Sequence, residues 1–309
     1  MTAPVKTAKK PIKDNGTLRR KVLDMVEESS QRLTPGELRK RLLGNTFVDE
    51  KAIKTAIRDL ILSRELKYTY HLGCSFLEKS YEKPTRVSKR VVLKPPGMVY
   101  ESSSGDIVID ISKGASFGFG DHPTTRLAIQ GIEAALSENH GILKADNGRA
   151  LDIGTGSGVL AIAAVLMGIK RAVGIDIDAC ARDEAQKNIQ LNGLEHRINI
   201  LDTGVEDIKE TYSLITANLR YPTLKRLCSH IAGITQKKGA VVVSGIKSDE
   251  VEDLVNDFSK FHFTCTWKMF EKDWIGMVLN HSGSKVQGLT ASTSQVKGVR
   301  IQQHVLLYQ

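Results

Sequence analysis

The chain has 309 residues, 41% of them hydrophobic and 26% charged. This is the make-up of a soluble globular protein, long enough for one large domain or two smaller ones. No apolar run approaches the ~20 residues of a membrane span, and the basic N-terminus lacks the apolar core of a secretory signal, so membrane proteins and secreted precursors are set aside.

The net charge of +9 is uneven: residues 1–94 hold 22 Lys and Arg against 11 Asp and Glu, while the remainder is close to neutral. A basic front part of this kind is either a footprint for nucleic acid or the ribosome, or a solvated face. Cys74, Cys180, Cys228 and Cys265 form no C-x-x-C pair, and the eight histidines show no metal-ligand spacing. The expectation is a reduced, cytoplasmic protein with neither disulfides nor zinc.

In chain order, residues 1–16 are rich in Lys and Pro and poor in apolar side chains, the composition of a disordered basic tail. From Thr17, Leu18, Val22, Leu23, Met25 and Val26 recur at helical spacing. Thr34-Pro35-Gly36-Glu37 is a capping box with proline at the first helical position, and Leu38, Leu42 and Leu43 form the stripe of a second helix. Asp49 starts a third, with Ile53, Ile57, Leu60 and Ile61 on one face. Leu66–Tyr70 and Ser75–Leu77 then flank Leu72-Gly73-Cys74 as a hairpin. Three short helices and a hairpin over 17–82 suggest a winged-helix-like domain that binds substrate or nucleic acid.

Residues 83–112 read as a linker with strands near 87–93 and 107–111, and Pro84 with the basic stretch after it suits a hinge. A glycine-rich loop follows from Lys113 to Thr125, ending where a helix begins. Such a loop could close over a bound ligand; it carries Phe117, a candidate cofactor contact, and has Thr124 and Thr125 at the helix start.

The most informative stretch is Leu151-Asp152-Ile153-Gly154-Thr155-Gly156-Ser157-Gly158. It sits between a short apolar run and the alanine-rich run 159–167, the pattern of a strand turning into a buried helix. A second apolar run ends at Asp176, 22 positions after Gly154, the spacing that puts a carboxylate on ribose hydroxyls. A dinucleotide site wants G-x-G-x-x-G; here the glycines alternate, and Asp152 suits an ammonium better than a pyrophosphate. Both points favour S-adenosyl-L-methionine (S-adenosylmethionine), with Gly154, Gly156, Gly158, Asp152 and Asp176 as contacts.

Further strands are expected at 198–201, 213–218 and 240–245, with helices at 181–192, 225–234 and 248–259 and a closing hairpin at 261–279. Asp202 and Glu206 lie where an adenine edge is read, and Asn218 ends the fourth strand. The alternation implies a Rossmann-like, doubly wound α/β domain over 113–281, with 282–309 as a flexible tail.

On these residues, 113–280 resembles the PrmA family, bacterial methyltransferases that modify lysines of a stalk-base protein of the large ribosomal subunit. Ala115-Ser116-Phe117-Gly118-Phe119-Gly120-Asp121-His122-Pro123-Thr124-Thr125 is similar to the family's A-F-G-T-G-x-H-x-T-T segment. Leu151–Asp178, Ile215–Leu219 and Val243–Ile246 resemble its cofactor and strand motifs. The resemblance implies that Thr125, Gly154, Asp176 and Asn218 contact S-adenosylmethionine. Phe119 departs from the family's threonine, and the front domain differs from the small domain with which the family holds its substrate.

In the leading reading the protein is an S-adenosylmethionine-dependent lysine N-methyltransferase whose partner is a ribosomal or translation-linked protein. Asn218 and Leu219 then aim the amine. The alternatives are an RNA methyltransferase, contacting nucleic acid through the basic front domain, and a winged-helix regulator that only senses S-adenosylmethionine.

Overall fold

The computed structural model describes residues 10–11, 14–29, 31–138 and 148–282. All of the tail expected over 282–309 except Ser282 lies outside them, as do residues 1–9 and 12–13 of the basic tail. The chain divides into two compact units, Met1–Lys83 and Pro84–Gln309.

In the first unit, strand β1 (Lys10–Pro11) pairs parallel with β2 (Thr46–Phe47). Part of the stretch read as a tail therefore takes part in structure. Helix α1 spans Asn15–Glu28, starting before Thr17 because Asp14 caps it: its Oδ1 accepts from the Thr17 amide at 2.7 Å. Helix α2 (Pro35–Asn45) opens with the Thr34/Glu37 capping box, and α3 covers Glu50–Leu62. Strands β3 (Leu66–His71) and β4 (Cys74–Lys79) form an antiparallel hairpin. Its turn residues Leu72 and Gly73 both have positive φ, the geometry whose twist matches that of the flanking strands. Leu18, Val22, Leu38, Leu42, Ile53, Leu60, Leu66 and Leu77 make a core of this unit's own.

The second unit opens with a small sheet, β5 (Thr85–Arg86), β6 (Val91–Lys94) and β7 (Ile107–Asp110). Val87, Val91, Leu93 and Ile109 are buried in the main core. Residues 84–110 are thus an integral layer of this unit and not a free linker or hinge, and the strands expected near 87–93 and 107–111 are its β6 and β7.

The main sheet has seven strands: β8 (Arg149–Ile153), β9 (Arg171–Ile175), β10 (Ile198–Leu201), β11 (Tyr212–Asn218), β12 (Thr235–Ile246), β13 (Phe263–Glu271) and β14 (Trp274–His281). Their order is β10-β9-β8-β11-β12-β14-β13, parallel except for β14, which runs antiparallel to both neighbours. Helices α4 (Pro123–Glu138), α5 (Val159–Leu166) and α6 (Ala179–Leu191) contribute to the core on one face. On the other, α7 (Tyr221–Ile234) and α8 (Val251–Ser259) do so. Alternate strand residues separate the two cores: Leu214, Ala240, Val242 and Val278 face the first, Ile215, Val241, Val243 and Met277 the second. This is the doubly wound α/β fold expected for the chain.

Some boundaries moved. Helix α7 begins at Tyr221 rather than Lys225, because Pro222 fits a first turn, where no amide is needed. Strand β12 begins at Thr235, and a 3-10 turn at Ser248–Glu250 precedes α8. Among the described residues no helix is long and apolar enough to cross a membrane. The strand order reverses direction between β8 and β11, so their C-terminal ends border the crevice in which such sheets bind ligands.

Candidate functional site

The glycine turn joins β8 to α5 at that crevice. The Gly154 and Thr155 amides both donate to the Ile175 carbonyl at 2.9 Å, tying the turn to the end of β9. The Gly156 amide donates to Asp176 Oδ2 at 2.9 Å, and the Asp178 amide to Asp176 Oδ1 at 3.0 Å. Asp176 therefore holds the turn, and each of its oxygens keeps a lone pair for a further donor. Gly156 has φ 53°, and a Cβ there would run into the Phe117 carbonyl oxygen.

The loop from Lys113 lies directly on this turn. The Ser157 amide donates to the Phe117 carbonyl at 2.8 Å, and the Ser157 hydroxyl to the Gly118 carbonyl at 2.9 Å. From α6, Glu184 accepts from the Ala115 amide at 2.6 Å, from the Ser116 amide at 3.1 Å and from the Ser116 hydroxyl. Burial works against the charge of Glu184, but these donors hold its carboxyl below the usual range. The Phe117 ring is half exposed and packs on His122, which meets Trp274 on another side, with centroids 5.1 and 5.2 Å apart. Burial, and then the nearby Arg126, push the His122 imidazolium towards deprotonation. Phe119 is a core residue, which accounts for an apolar side chain where the family has threonine.

Asp152 departs from the sequence reading. It is 1% exposed, and its two oxygens accept from the Thr216 and Thr155 hydroxyls at 2.6 and 2.7 Å. It braces the turn from beneath rather than presenting a carboxylate to a ligand. Burial pushes its carboxyl up to about 6, with the Asp176 charge adding to the effect and the two threonines opposing it. Gly158 likewise packs: it caps α5 and lies against Ala185 of α6.

On the other side of the crevice, Asn218 ends β11. Ser244 Oγ lies 2.8 Å from both Asn218 Oδ1 and the Thr124 carbonyl oxygen, joining β11, β12 and the start of α4. The Leu219 amide donates to the Ser244 carbonyl at 3.1 Å, and the Leu219 side chain lies where a Cβ on Gly154 would be. Thr125, in the first turn of α4, is fully buried, and its hydroxyl has no hydrogen-bond partner among the described residues. Asp202, at the end of β10, is exposed and pairs with Arg182 at 2.8 Å, while Arg182 also donates to the Asp176 carbonyl at 2.9 Å. Glu206 instead pairs with Arg226.

The structure thus gathers Gly154, Gly156, Asp176, Phe117, Thr125, Asn218 and Leu219 about the strand ends, with Asp202 tied to them through Arg182. It assigns Asp152 and Gly158 to support. The supporting residues Ser157, Glu184, Thr216 and Ser244 escaped the sequence reading. Thr216 and Ser244 left a signal, polar residues on otherwise apolar buried strands; Glu184 left none. Among the described residues no cluster of His, Cys, Asp or Glu is placed to hold a metal ion.

The arrangement fits a nucleoside-bearing cofactor. A backbone turn closed to side chains, an Asp with spare acceptor capacity and an unpartnered buried hydroxyl all await polar ligand atoms.

A family model described as ribosomal protein L11 methyltransferase (PrmA) matches residues 76–282. The chain is 34% identical over 201 residues to the ribosomal protein L11 methyltransferase of Geotalea uraniireducens, covering 63% of this chain and 64% of that protein. It is 31% identical over 212 residues to the one of Heliobacterium modesticaldum, covering 68% and 64%. The chain therefore spans just under two thirds of these relatives. Among solved structures, a ribosomal protein L11 methylase from Lactobacillus delbrueckii subsp. bulgaricus is similar, with a TM-score of 0.57 and 27% identity over 65% of this chain and 99% of that one.

Proposed function

This chain belongs to the PrmA family, and we propose that it is an S-adenosylmethionine-dependent lysine N-methyltransferase acting on ribosomal protein L11 or a similar ribosomal protein. The observation that carries the reading is the glycine turn held by Asp176 at the strand switch point, with Asn218 and Leu219 across the crevice. When bound, S-adenosylmethionine supplies a methyl group with its leaving group built in.

The chain's own residues then have two tasks. The first is to hold the cofactor. The Gly154–Gly156 turn lets its backbone approach closely, Asp176 accepts from ribose hydroxyls, Thr125 offers its buried hydroxyl, and Asp202 lies on the adenine side. Phe117 and the loop from Lys113 cover the turn. The second task is to present an uncharged amine. A lysine at pH 7 is ~3.4 units below its usual pKa, so removing its proton costs about 4.6 kcal/mol. A pocket that excludes water lowers that cost, and Asn218 Oδ1 with the nearby backbone carbonyls accepts the amine's hydrogens and aims its lone pair. The first unit, with its own core, recruits the substrate, and a ribosomal target fits a cytoplasmic enzyme.

Methylation of RNA is the second reading, favoured by the positive charge of residues 1–94. Incubation of the full chain with ribosomes and methyl-tritiated S-adenosylmethionine, followed by separation of protein from RNA, distinguishes the two. Label in the protein fraction supports the proposal; label confined to RNA replaces it with the second reading, and binding without transfer reduces the site to a sensor.

A further inference from the structure

The first unit carries a groove that the methyltransferase reading does not use. Its volume is about 370 Å³, and it is lined by Pro35 and Arg39 of α2, by Lys54, Ile57, Arg58, Ile61 and Leu62 of α3, and by Tyr68 of β3. Of its apolar side chains Ile57 and Ile61 pack in or on the unit's own core, but Leu62 is 75% exposed and Tyr68 55%. Its charged lining is entirely cationic. Glu50 lies beside it and reaches Arg39 at 2.7 Å and Lys54 at 2.9 Å, so one acid is shared between two cations. Among the described residues, Arg58 has an acid only at 3.9 Å, its chain neighbour Asp59. The exposed Lys51 lies one turn further along α3.

We propose that this groove docks an acidic protein segment anchored by a bulky apolar side chain. Leu62 and Tyr68, exposed beside Ile57 and Ile61, gain from burying an apolar side chain, while Arg39, Lys54 and Arg58 match carboxylates on the segment that carries it. Charge rules out the occupants nearest to hand. Residues 283–309 carry Lys285, Lys297 and Arg300 and no acid, and a second copy would bring the same cations against these. A nucleic-acid backbone would satisfy the cations but leave Leu62, 75% exposed, without an apolar partner. The proposal does not rest on the methylation reading, because it is read by binding alone.

The test is fluorescence anisotropy with the full chain and a labelled 14-residue helical peptide carrying Leu and Phe at i, i+4 and i+7 among Asp and Glu. Two control probes are the same peptide with Ser at the apolar positions and a 20-nucleotide single-stranded RNA. Saturable binding of the first peptide is expected, with at least tenfold weaker binding of the Ser version. The Lys54→Glu/Arg58→Glu variant should lose at least tenfold at low salt, and Leu62→Asp should lose as much even at high salt. These side chains are exposed, so the fold should survive their replacement, which circular dichroism checks. Equal binding of both peptides, no response to the variants, or RNA binding tighter than the peptide and sensitive to the same variants would each overturn the proposal.

Discussion

On the proposed reading Asp176 serves two purposes with one carboxylate. It accepts the Gly156 and Asp178 amides, and the same oxygens have capacity left for ribose hydroxyls. Replacing it with alanine removes charge-assisted hydrogen bonds worth roughly 1.5–3 kcal/mol, so affinity for S-adenosylmethionine should fall by about tenfold to a hundredfold. Calorimetric titration of the Asp176→Ala protein measures this; an unchanged dissociation constant in a folded variant would remove Asp176 from the site. Asp152 calls for a different experiment. Its carboxyl is shifted from an ordinary 3.8 to about 6 by burial. Between those values the folded protein holds a proton that the unfolded chain has released. Stability must therefore fall as pH rises through that window, by about 3 kcal/mol from this group. In Asp152→Asn, urea denaturation from pH 4 to 7 should show that decline flattened, while parallel curves for the two proteins would show that Asp152 is not the group responsible. The place of Asp176 beside the glycine turn was legible because the spacing after the glycines specifies it. The burial of Asp152 was not, because its partner Thr216 comes from a strand 64 positions on.

At the scale of elements, the glycine turn and the loop from Lys113 form one device. The Phe117 and Gly118 carbonyls are satisfied by Ser157, and the space beside Gly156 is filled by the Phe117 carbonyl. Gly156→Ala meets two obstacles, a φ of 53° and a collision with backbone that cannot rotate away. The loop must lift off the turn. We expect cofactor affinity to drop at least tenfold and the loop to become more open to proteolysis near Phe117, with a modest loss of stability. Limited proteolysis beside a binding titration checks both; wild-type affinity and cleavage would mean that loop and turn are not coupled. The elements themselves were largely readable, since β8, α5, β9 and β10 follow from apolar runs punctuated by glycine. The strands over 85–110 were read, but not their place in the second unit's core, because they are only 2–4 residues long and gain their burial from distant partners. The contact between loop and turn was hidden for the same reason: Phe117 and Ser157 are brought together only by the fold.

For the molecule as a whole, two units have separate cores, and on the proposed reading they divide the work of a macromolecular methyltransferase. The family match runs over 76–282, so the cofactor site lies wholly within it, while most of the first unit lies outside. Net charge follows the same division, with the surplus concentrated in residues 1–94. Composition made that division visible, but it could not reveal the apolar floor of the groove, which needs α2, α3 and β3 assembled. The central claim is that this chain methylates lysine on a ribosomal protein, and it is tested most directly on the purified proteins. Ribosomal protein L11 lacking methylation is incubated with the full chain and S-adenosylmethionine, and its peptides are then mapped by mass spectrometry. Methyl groups on lysine side chains of L11, absent when S-adenosylmethionine is left out, are the result expected. L11 that stays unmodified, both free and within ribosomes, under conditions where the chain binds S-adenosylmethionine would contradict it.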